Sequence, residues 1–446
     1  GDSADEWLSG LSCGDKGPYA TLGNAIWALA RCPLWNGVLA FNEFDGSVVK
    51  LKEPPMEQAE RPKDFRLGEW NDTDTSQCCA WLARVAGIRL HPTLVGRAVF
   101  AVAQKSKFHP VRQYLDGLVW DGKVRLTSWL SRYMGAEQNA YTAAVGSRWL
   151  LSAVARVYEP GCKVDHVLVL EGSQGTGKSS ALEVLAGMDW FSDTPLVFGD
   201  KDSYEALRGV LIYELAELSA LRKSDVEAQK AYISKRFDRY RRPYGETNTT
   251  WPRQVIFAGT TNDAKYLADP TGNRRFWPVT CSDIDLDALK RDRDQLWAEA
   301  LVRHREKEQW HLDSPELVAL ASAAQQDRVI EDDWEILIAR WVESDAGKYM
   351  IGRGDGLAIP DVLSSAIGIK PDKNDRAAST RCGIQLKKLG WVVKRKVPIA
   401  GCREWRLFRS VTEYEARFGS RAGAEVGAEV GQAAEVGQDS DGNGKL

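Results

Sequence analysis

The chain has 446 residues and a formal net charge of −3 at pH 7. A hydrophobic content of 43% with 17 Trp is enough for several buried cores, which excludes wholesale disorder. No run approaches the roughly 20 apolar residues that span a bilayer, so we expect a cytoplasmic protein without a membrane partner. The eight Cys contain no C-x-x-C pair and the five His form no motif, so we expect buried free thiols rather than a zinc site.

The charge is distributed unevenly along the chain. Residues 230–253 contain seven Lys or Arg and two acids, and residues 376–409 contain ten Lys or Arg and one acid. These segments therefore carry local charges of +5 and +9, which leaves −17 for the rest of the chain. Basic segments in an acidic chain indicate two surfaces directed at phosphates, although a charge run is more often a solvated face.

Residues 1–110 are predicted to be a mixed domain of unknown role. The segment Gly37–Lys52 has the pattern of a β-hairpin that turns at Asp45-Gly46. Two amphipathic helices are predicted, over Gln77–Ala86 and Thr93–Lys105.

Residues 111–162 are predicted to form a helical collar before the next domain. Helical patterns cover Val111–Leu115, Val124–Tyr133 and Ala140–Val157, and Gly161 ends the last of them.

Residues 163–330 contain the strongest motif. A predicted strand, His166–Leu170, leads into G-S-Q-G-T-G-K-S over Gly172–Ser179, and helical spacing follows over Ser180–Gly187. The motif G-x-x-x-x-G-K-[ST] between a strand and a helix is typical of a P-loop, in which Lys178 reaches the β- and γ-phosphates and Ser179 binds Mg²⁺. We therefore predict a site for ATP and Mg²⁺ formed by Gly172, Ser173, Gln174, Gly175, Thr176, Gly177, Lys178, Ser179 and Ser180.

Two further predicted strands deliver polar residues that such a site needs. Val210–Tyr213 leads to Glu214, the candidate acid beside the metal, and Glu217 is the candidate base that orients water. The sequence leaves open which glutamate has which role, and Glu217 could instead be a helix N-terminal acid. The strand Gln254–Gly259 leads to Asn262, which fits a sensor of the γ-phosphate or, alternatively, a structural turn.

The segment Lys235–Pro252, between these strands, is basic and aromatic. A hairpin turning at Tyr244-Gly245-Glu246 would carry Arg239, Arg241 and Arg242 interleaved with Tyr240 and Tyr244. Cations for phosphates and rings for bases are what single-stranded nucleic acid requires. An ordinary solvated loop is the alternative.

The adjacent arginines Arg274 and Arg275 follow a turn-rich stretch and precede Phe276-Trp277. This pattern fits an arginine finger presented to the nucleotide of a neighbouring subunit. The pattern does not distinguish the two arginines, and a fixed Arg–carboxylate bridge is the alternative.

Residues 331–410 are predicted to form a winged helix. Helices are predicted over Asp333–Val342, Ile359–Ala366 and Arg376–Leu389, and Gly390 precedes the strands Trp391–Val397 and Glu404–Phe408. In this order of elements the third helix suits a major groove, so we predict duplex DNA as a partner and a protein-binding winged helix as the alternative. The candidate DNA-binding residues here are Arg381, Lys387, Lys388 and Lys394.

Residues 411–446 are predicted to be a low-complexity, disordered tail. From Gly419 onward, the tail repeats Ala-Glu-Val-Gly at Ala424–Gly427, Ala428–Gly431 and Ala434–Gly437.

The ordered series of motifs resembles the virulence-associated protein E family. The matching segments are His109–Arg112, Leu118–Gly122, the P-loop, Glu214–Glu217, Tyr240–Tyr244, Gly259–Asn262, Asp269–Trp277 and Arg291–Ala300. The resemblance covers roughly residues 105–330. It implies a P-loop ATPase of phages, satellites and genomic islands, similar to superfamily 3 helicases with an AAA+-like core. It also implies a hexameric ring, active sites between subunits, a basic hairpin in the central pore and a location in the bacterial host cytosol.

Taken together, these patterns predict an α/β fold: a P-loop core with a helical N-terminal region and a C-terminal winged helix. The predicted function is an ATP-driven DNA motor, most simply a ring-shaped replicative or origin-associated helicase of a mobile element. A separate primase or initiator is a candidate partner, because residues 1–110 contain no primase-like acidic motif. The alternatives are an ATPase switch that remodels a protein partner and a DNA-binding regulator that assembles on nucleotide.

Overall fold

The computed structural model describes residues 6–55, 67–217, 223–241, 248–267, 273–330, 332–370, 375–399 and 402–418. The chain divides into two compact units, Gly1–Ile330 and Glu331–Leu446. The fold is mixed α/β, with a parallel sheet in the first unit and helices in both. Within the described ranges, no helix is both long and apolar enough to cross a membrane.

The amino-terminal part of the first unit combines three helices with small sheets. Its strands are paired in the order β5-β4-β3-β6, apart from the pair β1-β2. Phe41 of β3 lies opposite Val48 of β4, which confirms the predicted hairpin around Asp45-Gly46. The elements are β1 Cys13–Gly14, β2 Gly17–Pro18, α1 Leu22–Arg31, β3 Leu39–Asn42, β4 Val48–Lys50, β5 Gly68–Glu69, α2 Asp72–Val85, α3 Pro92–Ala103 and β6 Lys107–Phe108.

Both amphipathic helices predicted in this region are present, as α2 and α3. Helix α2 begins at Asp72 rather than Gln77, because Asn71 and Asp74 form a capping box in which each side chain accepts the other residue's backbone N–H. The Asp74 carboxylate also accepts a 2.5 Å hydrogen bond from the buried Lys50 ammonium, so the cap joins the helix to β4.

Three helices follow: α4 Pro110–Asp116, α5 Trp129–Met134 and α6 Ala140–Tyr158. Helix α5 is shorter than the predicted segment Val124–Tyr133. The backbone N–H groups of Arg125 and Leu126 donate to the buried Glu299 carboxylate at 2.6 and 3.0 Å, and this interaction replaces a first helical turn.

The rest of the first unit surrounds a five-stranded parallel sheet of order β13-β7-β12-β9-β8, with a separate antiparallel pair β10-β11. The elements are β7 Val167–Glu171, α7 Lys178–Ala186, β8 Phe191–Ser192, α8 Lys201–Glu205, β9 Ile212–Leu215, α9 Lys223–Ile233, β10 Phe237–Arg241, β11 Asn248–Pro252, β12 Ile256–Thr261, β13 Phe276–Thr280, α10 Leu286–Arg305 and α11 Pro315–Gln326.

Strand β7 is apolar on both faces because both faces of the sheet are covered. Leu168 and Leu170 belong to a core shared with α6, α7 and α10, whereas Val167 and Val169 pack in a second core with Tyr213. A continuous apolar run is the expected signature of such a strand. The run places the glycine-rich loop at the carboxyl end of a strand with a neighbour on either side.

The described part of the second unit consists of helices, a hairpin and a final helix: α12 Asp333–Glu343, α13 Asp345–Gly352, α14 Ile359–Val362 with a π-helical turn over Leu363–Ile367, α15 Arg376–Lys388, β14 Val393–Ile399, β15 Cys402–Phe408 and α16 Val411–Phe418. Two differences from the predicted pattern stand out. Helix α13 has no predicted counterpart and begins where the Ser344 hydroxyl accepts the Gly347 N–H. Residues 411–418, assigned to the tail from sequence, form α16 because Tyr414 and Phe418 pack against Phe408 of the hairpin.

The cysteines are all free thiols. Burial was expected for all of them, but Cys13 and Cys402 are exposed. Both lie in short or terminal strand positions whose side chains do not face a core.

His166, directly before β7, gives the first unit a predictable pH dependence. Its ring is buried and stacks on Trp277 at 3.8 Å, and burial lowers its pKa to about 3. The unfolded chain binds this proton near pH 6.5, so stability falls as the pH drops from about 6.5 toward 3, by roughly 2 kcal/mol at pH 5. His166→Phe should reduce the difference between the free energies of unfolding at pH 7 and pH 5, as measured by urea unfolding. The exposed His91→Asn is the control and should leave it unchanged.

Candidate functional site

The glycine-rich loop lies at the carboxyl end of β7 and opens directly into α7. Gly172 has φ 152° and Gly177 has φ 93°, a range that favours glycine. A Cβ on Gly172 would lie 2.7 Å from the Cys281 carbonyl oxygen, so the loop also needs glycine for space. The sequence therefore forms strand, loop and helix in the predicted order.

Lys178, the first residue of α7, is buried against this loop. Its ammonium donates hydrogen bonds of 2.8 Å to the carbonyl oxygens of Gly172 and Ser173. The cation is thus held within the curve of the loop, where it can meet an anionic group.

Glu214 is buried in β9 and joins three elements of the site. Its Oε1 accepts hydrogen bonds from the hydroxyls of Ser179 at 2.7 Å and Thr260 at 2.5 Å. Its Oε2 is buried and has no hydrogen-bond partner among the described residues. A buried carboxylate oxygen without a donor is costly, and a hard divalent cation beside the Ser179 hydroxyl would satisfy it. The donor set therefore fits Mg²⁺.

Glu217 and Asn262 are exposed and face the same cavity, of about 430 Å³. Glu217 has φ 51°, in the left-handed region that non-glycine residues rarely adopt. Such strain is concentrated at functional sites. The cavity is lined by Gln174, Gly175, Thr176, Gly177, Lys178, Ser179, Ser180, Glu214, Ala216, Glu217, Thr260, Thr261 and Asn262.

The structure thus brings seven of the nine predicted P-loop residues, both candidate acids and the candidate sensor to one cavity, whereas Gly172 and Ser173 do not line it. Glu214 lies within β9, and Thr260 within β12, because both strands extend further toward the loop than the apolar runs indicate. Sequence reasoning missed Thr260, although its position two residues before the candidate sensor was a usable signal.

Sequence reasoning also missed Glu171, the last residue of β7. Both of its oxygens are paired with Arg328 at 2.8 Å, and it also accepts hydrogen bonds from Tyr266 and Thr280 at 2.8 and 2.9 Å. Burial beside this carboxylate raises the pKa of the Tyr266 phenol, which therefore stays a donor. The cluster ties the start of the loop to β13 and to the chain after α11.

Arg274 and Arg275 lie at the opposite edge of the sheet from the loop. Strand β13 begins at Phe276 beside Val167, whereas the loop follows Glu171, which lies beside Thr280. Four residues of strand separate the two edges by about 13 Å. Arg275 donates to the Ser234 hydroxyl at 2.8 Å, while Arg274 is exposed and has no hydrogen-bond or ion-pair partner among the described residues.

The predicted basic hairpin has paired arms in β10 and β11, with Arg239 opposite Thr250. Arg239 is exposed. Arg241 ends β10, and Arg242 and Tyr244 lie outside the described residues. At the base of the hairpin, Arg253 forms a buried bidentate pair with Asp238, with N···O distances of 2.7 and 2.8 Å. Arg253 lies three residues before β12, so the hairpin joins directly to the strand that carries Thr260.

Comparison with known families supplies the identity of this region. Residues 115–330 match the family model described as Virulence-associated protein E-like domain. The chain carries a virulence-associated protein E-like domain. This domain includes every residue of the cavity, the basic hairpin and both arginines, and it excludes the second unit.

Two solved structures of the NrS-1 C terminal region are similar to the chain. An apo structure is 12% identical and covers 86% of this chain and 98% of that one, with a TM-score of 0.43. The A form apo structure is 13% identical and covers 86% and 99%, with a TM-score of 0.46. No curated protein matches the sequence.

The second unit lies outside the virulence-associated protein E-like domain. Two of its four predicted DNA-binding residues are engaged in ion pairs. Arg381 and Lys388 of α15 form ion pairs with Asp332 at 2.6 Å and Glu335 at 2.9 Å. Lys387 is exposed on the same helix, and Lys394 is exposed on β14. The structure therefore does not bring these four cations to one unpaired surface.

The Glu171–Arg328 pair predicts a non-additive stability effect. Arg328→Leu leaves the Glu171 charge buried and should lower the free energy of unfolding by about 3 kcal/mol. Adding Glu171→Gln should restore most of that loss, because the uncompensated charge is removed. Urea unfolding of both single variants and the double variant measures the coupling. Asp327→Ala removes an exposed partner 3.6 Å from Arg328 and should change stability by less than about 0.5 kcal/mol.

Proposed function

We propose that the chain is an ATP-driven DNA motor, a ring-shaped replicative or origin-associated helicase of a phage, satellite or genomic island. The observation that carries this proposal is the convergence of Lys178, Ser179, Glu214 and Asn262 on one cavity at the carboxyl edge of a parallel sheet. The virulence-associated protein E-like domain supports a role in the replication of mobile elements.

The proposed nucleotide is ATP, held by a P-loop at Gly172–Ser180. The loop and the α7 N-terminus would hold the phosphates, and Lys178 would exchange its carbonyl partners for phosphate oxygens. Mg²⁺ would be held by Ser179 and Glu214, since the Glu214 Oε2 atom has no other described partner. When bound, the metal neutralises charge on the phosphates.

We assign Glu217 as the base and Glu214 as the metal-side acid. Glu214 is buried and engaged by two hydroxyls, whereas Glu217 is exposed to the cavity. An exposed carboxylate can accept a proton from water and release it to solvent. Asn262, also exposed to the cavity, would orient that water.

Arg274 is the proposed arginine finger of a neighbouring subunit. It lies about 13 Å from its own loop along the strand direction, and it has no described partner that would hold it in place. Arg275 is held by Ser234 and has a structural role in this proposal. Active sites completed in trans require an oligomer, and the family resemblance favours a hexameric ring.

Two surfaces are proposed for DNA. The β10–β11 hairpin, with Arg239, Arg241, Arg242 and Tyr244, would grip single-stranded DNA in the pore. The second unit, proposed as a winged helix, would bind duplex DNA through residues that include Lys387 and Lys394.

The ATPase assignment predicts different defects for substitutions of Lys178 and Glu217. Lys178→Ala removes the cation that clamps phosphate, so ATP binding and hydrolysis should both be lost. Glu217→Gln should keep ATP binding and lower turnover by at least about 100-fold, the lower range for a general base. Nucleotide binding and phosphate release are measured with and without single-stranded DNA.

Stimulation of ATPase by single-stranded DNA, together with unwinding of a forked duplex, would support the motor. Stimulation by neither DNA would favour a switch that remodels a protein. Function retained by a Glu214→Gln, Glu217→Gln double variant would favour a regulator that uses nucleotide only to assemble. Wild-type hydrolysis by Lys178→Ala would contradict the site itself.

The finger assignment predicts complementation between inactive subunits. Arg274→Ala and Lys178→Ala chains should each be inactive alone. In an equal mixture, roughly a quarter of the head-to-tail interfaces combine an intact Lys178 with an intact Arg274, so ATPase should recover to about that fraction. The exposed Arg291→Ala is the control and should be active alone. Mixed oligomers without recovered ATPase would show that Arg274 does not act in trans.

A further inference from the structure

The cations of α15 are partly neutralised within the second unit. Arg381 is held by two Asp332 oxygens and lies over the Trp334 ring at 4.2 Å, and Lys388 is paired with Glu335. A helix whose cations are already paired gains less from phosphate contacts. The β14–β15 hairpin is therefore the stronger candidate for a nucleic-acid surface in this unit.

The two faces of this hairpin differ. On one face, Val397 and Phe408 are buried against Tyr414 of α16. On the other face, Lys396 lies directly opposite Trp405, and Lys394 is the next residue along β14 on that face. We call Lys394, Lys396 and Trp405 the outer face of the hairpin.

The outer face exposes an aromatic ring among cations. Trp405 is 55% exposed, and the Lys394 ammonium lies 4.9 Å from its ring centroid. Lys396 is exposed, and no ion-pair partner for Lys394 or Lys396 lies among the described residues. An exposed ring beside Lys394, on a face that also carries Lys396, combines a stacking platform with two cations for phosphates.

We propose that the outer face binds an unpaired DNA base next to a duplex, with Trp405 stacking on the base and the two lysines contacting the flanking phosphates. This inference rests on the proposed function for its partner, DNA. Bases within a duplex are already stacked on their neighbours, so an indole can stack only on a base that has left the helix. The surface therefore fits the first unpaired base of a fork or junction, beside the duplex proposed as the partner of this unit. Its positive charge favours nucleic acid over an apolar protein surface.

The test uses the full chain without nucleotide and a forked DNA that carries 2-aminopurine at the first unpaired position, compared with a blunt duplex of the same length. Wild-type protein should prefer the fork and quench the 2-aminopurine. Trp405→Ala should weaken fork binding on the order of tenfold, the value of one stacked base, and lose the quenching. Trp405→Phe should retain most of both signals, because it retains a ring.

The salt dependence separates the ring from the cations. Trp405→Ala should leave the slope of fork binding against salt unchanged, because no phosphate contact is lost. Lys396→Gln should lower that slope by roughly 0.7 to 0.9. The matched control is Tyr349→Ala, since Tyr349 is an aromatic residue of the same unit that is 73% exposed; it should change neither signal.

Equal weakening of fork and blunt duplex by Trp405→Ala, or an unquenched wild-type complex, would overturn the assignment. ATPase assays on the same proteins distinguish a failure of the hairpin assignment from a failure of the proposed ATP-driven motor. If the chain prefers the fork through Trp405 but its ATPase is not stimulated by DNA, the hairpin assignment holds and the proposed motor does not. A chain that binds none of these DNAs would lose both.

Discussion

Parallel pairing of β7 with β12 and β13 is the constraint on which the candidate site depends. Because the three strands run in the same direction, their carboxyl ends meet at one edge, and the residues after each strand become neighbours. Glu171, Thr261 and Thr280 lie side by side there. Chain segments about 90 residues apart in sequence thus supply one cavity with a loop, a cation, two acids and an amide.

Two buried carboxylates at this edge have opposite environments. Glu171 is fully engaged by a guanidinium, a phenol and a hydroxyl, so it acts as a fixed structural anchor for the loop. Glu214 is engaged through one oxygen only. The Glu171 carboxylate already has a cation beside it, Arg328. The Glu214 carboxylate has no cation among the described residues and still has an oxygen that one could bind.

Much of this arrangement could be predicted from sequence, because local patterns with a fixed register determine it. The loop glycines, Lys178 and Ser179 have a spacing that has few uses other than phosphate binding, and the apolar runs located β7, β9 and β12. Cores shared by distant segments could not be predicted in this way. The Glu299 contact that shortens α5, and the Arg328 contact with Glu171, join residues more than 150 positions apart. The periodicity of the sequence carries no information about such pairs.

Helix boundaries set by packing were missed for a related reason. Residues 411–418 contain no glycine and two aromatic residues, unlike the glycine-rich stretch from Gly419. Their rings pack against Phe408, so they form a helix against the hairpin. The sequence likewise indicated the positive charge of α15 but not the acids that neutralise part of it. The acids that pair with Arg381 and Lys388 are Asp332, the N-cap of α12, and Glu335 within α12, and they lie about 50 residues earlier.

The Asp238–Arg253 pair at the base of the β10–β11 hairpin has a mechanical consequence. The pair is buried, and opening it would leave an uncompensated charge at a cost of about 3–5 kcal/mol. Bending at the base of the hairpin is therefore unfavourable, and the hairpin behaves as a stiff extension of the chain that enters β12. The arms of the hairpin thus join β12, the strand that carries Thr260, through a base fixed by a buried ion pair rather than through a free linker.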